Sequence, residues 1–369
     1  MVATGQRFAE LHPGFEIQWE TRSLQEFADG SVAQLARRYD LVVIDHPSTG
    51  QAAEEEVLLP IDEWVSEEFL DMQGANSVGC SHSSYEYAGR QCALAIDAAA
   101  PISGWRPDLM KRARAAIPQT WSELLDLGRR SLVTIPATPI DTLTHFYMFC
   151  ACLGEDPFLA EERVVSKEIG TQALAMLRQL ISLCDSDCLQ RNPIATWEIL
   201  ATTDTVAYCP FAYGYSNYSR PGFSAHQLET GDLITTDDGR AFRSTLGGAG
   251  IAISTNCRHK EIAAEYVQFV TNPQCQRTLY FDSGGQPGSR AAWLDDEVNR
   301  RCNEFFKSTL VTLDRAYVRP RFNGYLDFQE SAAELVHHYL VAGLREKDVV
   351  TELNNRLREA RFEKRRGAL

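Results

Sequence analysis

The chain has 369 residues, of which 44% are hydrophobic and 23% are charged, a composition typical of a globular protein with about two domains. Lys and Arg together number 36 against 50 Asp and Glu, which gives a formal charge of −14. Because so acidic a surface repels phosphate backbones, we expect no nucleic-acid partner. No apolar run reaches the ~18 residues that cross a bilayer, so we also expect no membrane insertion.

Helix and strand patterns alternate at the start of the chain. Helical spacing over residues 3–11 is followed by apolar and polar alternation over 15–19, which predicts a half-buried strand, and then by helical spacing over 24–38. Residues 41–44 are four consecutive apolar residues that end at a polar pair beginning with Asp45. This pattern predicts a buried parallel strand with a functional carboxyl end, and hence a βαβ unit.

Cap, turn and glycine signals place the later elements. Two hairpin-linked strands are predicted over 85–88 and 92–96, and Thr120-Trp121-Ser122-Glu123 is a capping box that opens a helix. Residues 246–250 form a glycine-rich entry to an apolar strand. The predicted helices after residue 50 are 64–72, 120–130, 140–153, 167–183, 194–201, 260–270, 273–281 and 349–362.

Ten cysteines are scattered along the chain without a Cys-x-x-Cys pair, so we predict neither a zinc site nor a disulfide framework. Their mostly apolar flanks are typical of reduced core cysteines and favour a reducing compartment. Cys184 and Cys188, about one helical turn apart, are the pair most open to oxidation. The first residues lack the basic and apolar stretches of a secretory signal, which indicates a cytoplasmic chain or one whose leader was removed.

An ordered set of segments runs through nearly the whole chain. It comprises His12-Pro13-Gly14 before Glu16-Ile17-Gln18-Trp19, the strand pattern of 39–47, Ala93-Leu94-Ala95-Ile96-Asp97, Arg106-Pro107-Asp108-Leu109 leading to the capped helix at Trp121, the glycine-rich strand 247–254 before the helix 261–271, and Gly284-Gly285-Gln286-Pro287. In this order the segments resemble the solute-binding proteins of ABC importers, extracellular solute-binding family 1, the maltose-binding type.

The resemblance implies an α/β, two-lobed periplasmic-binding-protein type II fold, in which each lobe is a mostly parallel sheet flanked by helices. Lobe one would comprise 1–98 with 250–295, and lobe two 99–246 with 310–369. The chain would cross between lobes near 97–101, 247–250 and 294–310. Members usually begin with a strand before the first helix, whereas this sequence starts at that helix, so the sheet of lobe one is expected to lack it.

The same resemblance implies a periplasmic receptor that captures a small polar ligand, most readily a sugar or sugar derivative, by hinge closure. An ABC permease would be its partner, a monomer is expected, and neither a cofactor nor a metal is required. A cytosolic ligand sensor on the same fold is the alternative within the binding class.

Candidate ligand contacts follow from the rule that open parallel sheets bind at the carboxyl ends of their strands. Asp45 and His46 end one strand and Asp97 another, where a carboxylate could accept sugar hydroxyls. The alternatives are a turn cap before Pro47 for the first pair and a structural hydrogen bond at the hinge for Asp97.

Further candidates lie in aromatic or glycine-rich loops or beside strands. Aromatic rings can stack on the C–H face of a sugar, glycines allow a close backbone approach or a hinge, and Arg22 could clamp a carboxylate or be an ordinary surface residue. The complete additional set is Arg22, Trp105, Tyr213, Tyr215, Gly247, Gly248, Asn323 and Tyr325.

Signals for catalysis are few. The sequence has no Gly-x-Ser-x-Gly, no His-Glu-x-x-His and no phosphate-binding Gly-x-x-x-x-Gly-Lys-Ser/Thr. A glycosidase could be drawn from Asp45 and Asp97, and a cysteine-dependent transferase of the thiaminase type from Cys80 or Cys92, but no motif activates either pair. We therefore expect a binding protein and not an enzyme.

Overall fold

The computed structural model describes residues 1–22 and 31–367, and this part of the chain forms two compact units. Unit 1 comprises Met1–Ala99, Leu246–Arg300 and Val318–Asn323. Unit 2 comprises Ala100–Thr245, Arg301–Tyr317 and Gly324–Leu369. The lobe boundaries given above stay a prediction. In the described part of the chain, we find no helix long and apolar enough to span a membrane.

The helices follow the predicted order closely. Thr120 shows why: its hydroxyl accepts the Glu123 N–H, and the Glu123 carboxylate accepts the Gln119 N–H at 2.7 Å, so the first turn of the helix is capped from both sides. The α-helices with described bounds are Val2–Leu11, Val32–Ala36, Thr49–Glu54, Glu67–Ala75, Pro107–Arg112, Trp121–Arg129, Pro139–Cys152, Lys167–Ile181, Pro193–Thr202, Lys260–Thr271, Pro273–Cys275, Arg290–Leu294, Asp296–Arg300, Phe305–Asp314, Tyr325–Ala342 and Glu346–Gly367, with a π-helical turn at Gln276–Tyr280.

Eight strands are named in the described residues. They are β1 Leu41–Ile44, β2 Glu86–Tyr87, β3 Arg90–Gln91, β4 Leu94–Ala99, β5 Pro101–Trp105, β6 Tyr208–Tyr213, β7 Glu229–Gly231 and β8 Gly247–Ile253. They form a sheet β1-β8-β4 and a hairpin β2-β3 in unit 1, and a sheet β6-β5-β7 in unit 2.

The expected mostly parallel sheets are not confirmed, since every pair of these named strands is antiparallel. In unit 1 the reason is β8, which follows β4 by about 150 residues in the sequence and lies between β1 and β4 in the opposite direction. The strands β1 and β4 still run in the same direction, because each is antiparallel to β8. Parallel pairing occurs in unit 2 as isolated bridges, such as Val133 with Tyr208.

Two strand predictions were wrong in detail. Residues 15–19 form no strand with the described residues, although Ile17 and Trp19 do pack against the core of unit 1. The predicted hairpin closes earlier than expected, because Ala88 and Gly89 both have positive φ, 51° and 77°, and make a two-residue turn between β2 and β3. The second half of the 24–38 helix appears as Val32–Ala36, and residues 23–30 lie outside the described residues.

The sheet of unit 1 is buried on both faces. Ile251 and Ile253 of β8 pack with Phe8 and Tyr266 on one face, under the helices Val2–Leu11 and Lys260–Thr271. Ala252 points to the opposite face, in a cluster with Val42 and Ile44 of β1 and Ala95 of β4, which alternate with the residues on the first face. Because side chains alternate along a strand, a continuous apolar strand is the sequence signature of this arrangement.

Unit 2 is built around the helix Pro139–Cys152. Almost every side chain of this helix is buried, and it contacts the helices Lys167–Ile181 and Tyr325–Ala342. A helix that is buried on nearly every side carries few charged residues, which explains the long uncharged stretch in the sequence. Phe149 extends this core through edge-to-face contacts with Trp121 and Phe242.

Candidate ligand-binding site

The carboxyl ends of β1 and β4 lie at the same end of the unit 1 sheet, on either side of β8. Ile44 pairs with Gly250, and Asp97 pairs with Ala249. Asp45 comes one residue after the pair with Gly250, so the two predicted carboxylates flank the same part of β8. Two strand spacings separate them, about 10 Å. The sheet therefore brings two of the predicted residues to one edge.

Asp45 is held by two donors. Its Oδ1 accepts the backbone N–H of His46 at 2.8 Å, and its Oδ2 accepts Nη2 of Arg319 at 2.6 Å. Burial alone would raise the pKa of Asp45, but the Arg319 guanidinium and the His46 hydrogen bond outweigh it, so the pKa lies well below its ordinary value. Asp45 is thus an ionised carboxylate with a fixed orientation, capping the short turn that begins at His46.

His46 is fully buried, and its Nδ1 lies 3.2 Å from Oδ1 of Asp45. Burial lowers the pKa of the imidazole to about 4, against the opposing effect of Asp45, so the ring is neutral at pH 7. The ring packs edge-on to Tyr85, with centroids 6.4 Å apart. Because no part of the ring is exposed, we assign His46 to the support of Asp45 rather than to ligand contact.

Tyr85 lies near both carboxylates. Its ring lies directly on Gly250, where an added Cβ would be 2.6 Å from the ring, and its hydroxyl donates to the Ile44 carbonyl at 3.4 Å. Burial raises the pKa of Tyr85 well above its ordinary value, and the nearby charges of Asp45 and Asp97 act in the same direction. This buried ring therefore packs against β8 at Gly250, close to the end of β1.

Asp97 has a different environment from Asp45. Its Oδ1 lies 3.5 Å from Nε2 of Gln286, whose amide also donates to the Ala98 carbonyl at 3.0 Å. Among the described residues, no Lys or Arg forms an ion pair with Asp97. Burial therefore raises the pKa of this carboxyl to about 7, with Gln286 opposing. A partly buried carboxyl with one long internal hydrogen bond retains capacity to accept a ligand hydroxyl, or to donate when protonated.

The two predicted glycines begin β8 beside Asp97. Gly248 has φ +111°, and an added Cβ would lie 2.4 Å from the Asp97 carbonyl oxygen. Gly247 is buried and pairs with Ala99. Close contact between β4 and β8 thus requires glycine at 248 whether or not a ligand binds.

Arg22 and Asn323 lie elsewhere in unit 1. Arg22 donates from Nη2 to the carbonyl of Val43 at 2.8 Å, so it contacts the outer edge of β1. Asn323 donates from Nδ2 to Glu54 at 2.9 Å, at the end of the helix Thr49–Glu54. Each contact gives the side chain a structural role.

The predicted aromatic residues of unit 2 separate into two places. Tyr213 pairs with Pro101 at the start of β5, and Trp105 pairs with Tyr208 at its end, so about 13 Å of strand lies between them. The Gly214 N–H donates to the carbonyl of Ala100 at 3.1 Å, which places Tyr213 at the end of the sheet where the chain enters unit 2.

Tyr213 and Tyr215 are partly buried on either side of Gly214, and the Tyr213 carbonyl accepts Nε1 of Trp197 at 2.6 Å. This hydrogen bond fixes the backbone that carries the two rings. Trp105 instead stacks on Tyr208 and donates from Nε1 to Glu229 at 2.9 Å.

Tyr325 lies in the core of unit 2. The residue is fully buried, and its ring contacts Phe158 and Phe328 with centroids 5.9 and 6.1 Å away. A ring without exposed surface offers nothing to a ligand, so we leave Tyr325 out of the site proposed below.

The residues drawn upon for the enzymatic alternatives are poorly placed for catalysis. Asp45 is already ion-paired with Arg319, which disfavours it as a nucleophile or an acid. Burial raises the pKa of the Cys92 thiol to about 11, which removes the thiolate needed for attack. Among the described residues, no group of three or more His, Cys, Asp and Glu side chains is placed to hold a metal ion.

Sequence reasoning missed Arg319, Tyr85 and Gln286. Gln286 stands in the Gly284-Gly285-Gln286-Pro287 segment quoted above, yet nothing local assigns it to Asp97. Arg319 belongs to an Arg-Pro-Arg run that could have marked a charged anchor, but no sequence pattern indicates its partner.

Comparison with protein families settles the class. A family model described as bacterial extracellular solute-binding protein matches residues 3–303. The chain belongs to this family. Its members bind solutes and are not enzymes, so both the resemblance stated above and the expectation of a binding protein are confirmed. No curated protein sequence matches the chain.

Solved structures show the same fold. Maltose-bound MalE3 of T. maritima superimposes with a TM-score of 0.80 and 17% identity, over 96% of this chain and 94% of that one. A solute-binding protein of Thermotoga lettingae bound with α-D-tagatose gives 0.81 and 17%, over 97% and 94%. A third, from Agrobacterium radiobacter K84 in complex with ribitol, gives 0.79 and 16%, over 97% and 96%. The chain therefore has the α/β periplasmic-binding-protein fold.

Proposed function

We propose that this protein is the solute receptor of an ABC importer and that its ligand is a small neutral polyhydroxyl compound, a sugar or sugar derivative. The observation that carries the proposal is Asp97, a carboxyl without a cationic partner in the described residues, at the end of β4 and beside Gly248. Maltose, tagatose and ribitol, the ligands named for the three structural neighbours, are all polyhydroxyl compounds.

The proposed contacts divide into groups that bind and groups that support. Asp97 accepts ligand hydroxyls, and Tyr213 and Tyr215 supply ring faces for the C–H side of a sugar. Asp45, held by Arg319, contributes a fixed negative charge at the same sheet edge. The Arg319 charge is balanced by Asp45, so the proposed contacts carry no excess positive charge. A neutral ligand is therefore favoured over a phosphorylated one.

The proposed mechanism is hinge closure. The lobes would be those predicted from the sequence, 1–98 with 250–295 and 99–246 with 310–369, linked by crossings near 97–101, 247–250 and 294–310. Asp97 belongs to the first predicted crossing, and the proposal gives each predicted lobe one ligand contact, Asp97 in lobe one and Tyr213 in lobe two. A ligand that touches both lobes stabilises the closed state by its differential affinity for that state.

The class of ligand can be tested by thermal unfolding of the whole chain with a panel of compounds. We expect a saturable rise in melting temperature with at least one of maltose, ribitol or D-tagatose, recovered unchanged afterwards, and no rise with glucose 6-phosphate, glutamate or thiamine. A shift only with the phosphate, amino acid or thiamine would overturn the ligand class, and a chemically altered compound would overturn the binding function.

The site can be tested with the sugar or polyol that gives the largest shift. Asp97→Ala and Tyr213→Ala should each weaken its affinity by about tenfold or more, because each removes a direct contact. Trp105→Ala, at the opposite end of β5, is the matched aromatic control and should change affinity by less than about threefold. Equal losses from Tyr213→Ala and Trp105→Ala would contradict the proposed placement, as would an Asp97→Ala variant with full affinity.

A further inference from the structure

Two cysteines meet at the end of the helix Lys167–Ile181. The Cys184 N–H donates to the Ile181 carbonyl at 3.0 Å, and the Cys188 N–H donates to the Asp185 carbonyl at 3.1 Å, so the chain leaves the helix and enters the short turn Ser186–Gln190. This reversal keeps Cys184 and Cys188 at the same helix end, four residues apart in the sequence, and each thiol is close enough to change the pKa of the other. The Cys184 thiol donates to the Leu180 carbonyl at 3.5 Å, so bridging the pair takes a side-chain rotation that brings the two sulfurs within bonding distance.

The surroundings of the pair favour reaction at this place. Cys184 is partly exposed and Cys188 is buried, so a reagent from solvent reaches Cys184 first. The neighbouring Cys184 thiol lowers the pKa of Cys188, with the nearby Arg191 guanidinium acting in the same direction, whereas Cys188 and burial raise the pKa of Cys184, so Cys188 is the better nucleophile of the two. Asp185, which also raises the pKa of both thiols, is paired with Arg191, and this ion pair partly offsets its charge.

Other cysteines lack this combination. Cys80 is exposed, but among the described residues we find no second cysteine hydrogen-bonded to it. Cys209 is buried in β6 and lies close enough to Cys184 to act on its pKa, which makes it the competing partner. Burial raises the pKa of Cys209 itself beyond that of an ordinary thiol, which disfavours it as a nucleophile.

We propose that Cys184 and Cys188 are a disulfide-forming pair, oxidised by thiol–disulfide exchange with a small disulfide such as oxidised glutathione. One thiolate of the pair attacks a sulfur of the oxidant and releases one glutathione thiolate. The second cysteine then attacks the mixed disulfide, closes the Cys184–Cys188 bond and releases the second. The two cysteines lose two protons and two electrons, and the oxidant is reduced to two thiols. The family is described as extracellular, a setting in which such bonds persist.

The bridge would act on the turn that anchors two helices. The Cys188 carbonyl accepts the Ala137 N–H at 3.0 Å, just before the buried helix Pro139–Cys152. The neighbouring carbonyl of Leu189 contacts Nε2 of His337 at 3.0 Å, on the helix Tyr325–Ala342. Closing the bridge pins this turn in its native conformation, so oxidation should raise the melting temperature by about 3 °C.

The test uses the full chain, prepared reduced and then equilibrated with oxidised glutathione, with free thiols counted after unfolding. The count should fall from the ten cysteines of the sequence to eight, with a mass loss of two hydrogens. Cleavage before Asp185 and Asp187 should leave the peptides that carry Cys184 and Cys188 joined until they are reduced. In Cys188→Ser the loss of two thiols should be abolished, whereas the control Cys80→Ser should still lose two.

Three results would overturn the proposal: ten thiols remaining in the wild type, a stable glutathione adduct, or joined peptides containing Cys209 in place of Cys188. Because the test contains no solute ligand, its failure is independent of the proposed transport function. If Cys188→Ser fails to fold, Cys184→Ser replaces the partly exposed member of the pair, and it too should abolish the loss of two thiols.

Discussion

Arg319 and Asp45 form an ion pair across 274 positions of the sequence, with Nη2 and Oδ2 2.6 Å apart. The Arg319 side chain is 5% exposed and the Asp45 side chain 22%. The pair joins the segment Val318–Asn323 to the end of β1, and Arg321 reinforces it by donating to the carbonyls of Ser83 and Ser84 at 2.8 and 3.0 Å. This late segment therefore belongs to the environment of a residue near the start of the chain.

Removal of the Arg319 charge should strongly destabilise unit 1. Arg319→Met leaves the Asp45 carboxylate buried without its cation, and we expect a loss of about 3 kcal/mol in the free energy of unfolding, measured by urea denaturation. The control Arg300→Met removes an exposed arginine paired with Glu297 and should cost about 0.5 kcal/mol or less. Adding Asp45→Asn to Arg319→Met should restore part of the loss, and strict additivity of the two changes would contradict a direct pair.

Asp97 should make stability fall as pH rises. Its pKa of about 7 in the folded chain exceeds the ordinary value, so its contribution is fully present below about pH 4 and is lost as the pH rises through about 7. Asp97→Asn removes this titration, and at pH 8 relative to pH 5 it should gain about 1–2 kcal/mol over the wild type, after allowance for the partly exposed carboxyl. Urea denaturation at both pH values measures it, and a difference independent of pH would refute the burial of this carboxyl.

Gly248 should tolerate no side chain. Gly248→Ala combines a positive φ of 111° with a Cβ 2.4 Å from the Asp97 carbonyl oxygen, so we expect a loss of about 2–4 kcal/mol in unfolding free energy. Gly239→Ala is the matched control, because its φ is +85° but the space around an added Cβ is empty, and it should cost about 1 kcal/mol. Similar costs for the two would show that backbone conformation alone, and not the contact of β4 with β8, requires the glycine.

Phe8 should contribute far more to stability than Phe15. Phe8 is 1% exposed and makes an edge-to-face contact with Tyr266 at 5.2 Å, so Phe8→Ala should cost about 3–4 kcal/mol. Phe15 is 42% exposed, and Phe15→Ala should cost less than about 1 kcal/mol. Thermal or urea unfolding of the two variants checks the difference, and a large loss for Phe15→Ala would contradict the exposed position of its ring.

The helices were largely predictable because their signals are local. The Thr120 hydroxyl caps the Glu123 N–H three residues away, and the uncharged stretch 142–154 already indicated a buried helix. The strand β1 was predicted at its correct residues, because four consecutive apolar residues before a polar pair indicate a buried strand even when its neighbouring strands are unknown. The direction of its pairing was not predicted, because a strand that is buried on both faces has the same continuous apolar sequence beside a parallel neighbour as beside an antiparallel one.

The candidate site was predictable only in part. Asp45 and Asp97 were predicted because each follows an apolar run in the sequence, whereas the burial of His46 and Tyr325 and the separation of Trp105 from Tyr213 depend on neighbours remote in sequence. The sequence alone determined the positions of most helices and the strand ends that carry carboxylates, because capping and periodicity are properties of short stretches, and the class of the protein followed from the resemblance of an ordered set of segments to a known family. Tertiary structure decided the direction of β8 and the different charge states of the two carboxylates, because Arg319 and Gln286 reach them only once distant segments have packed together.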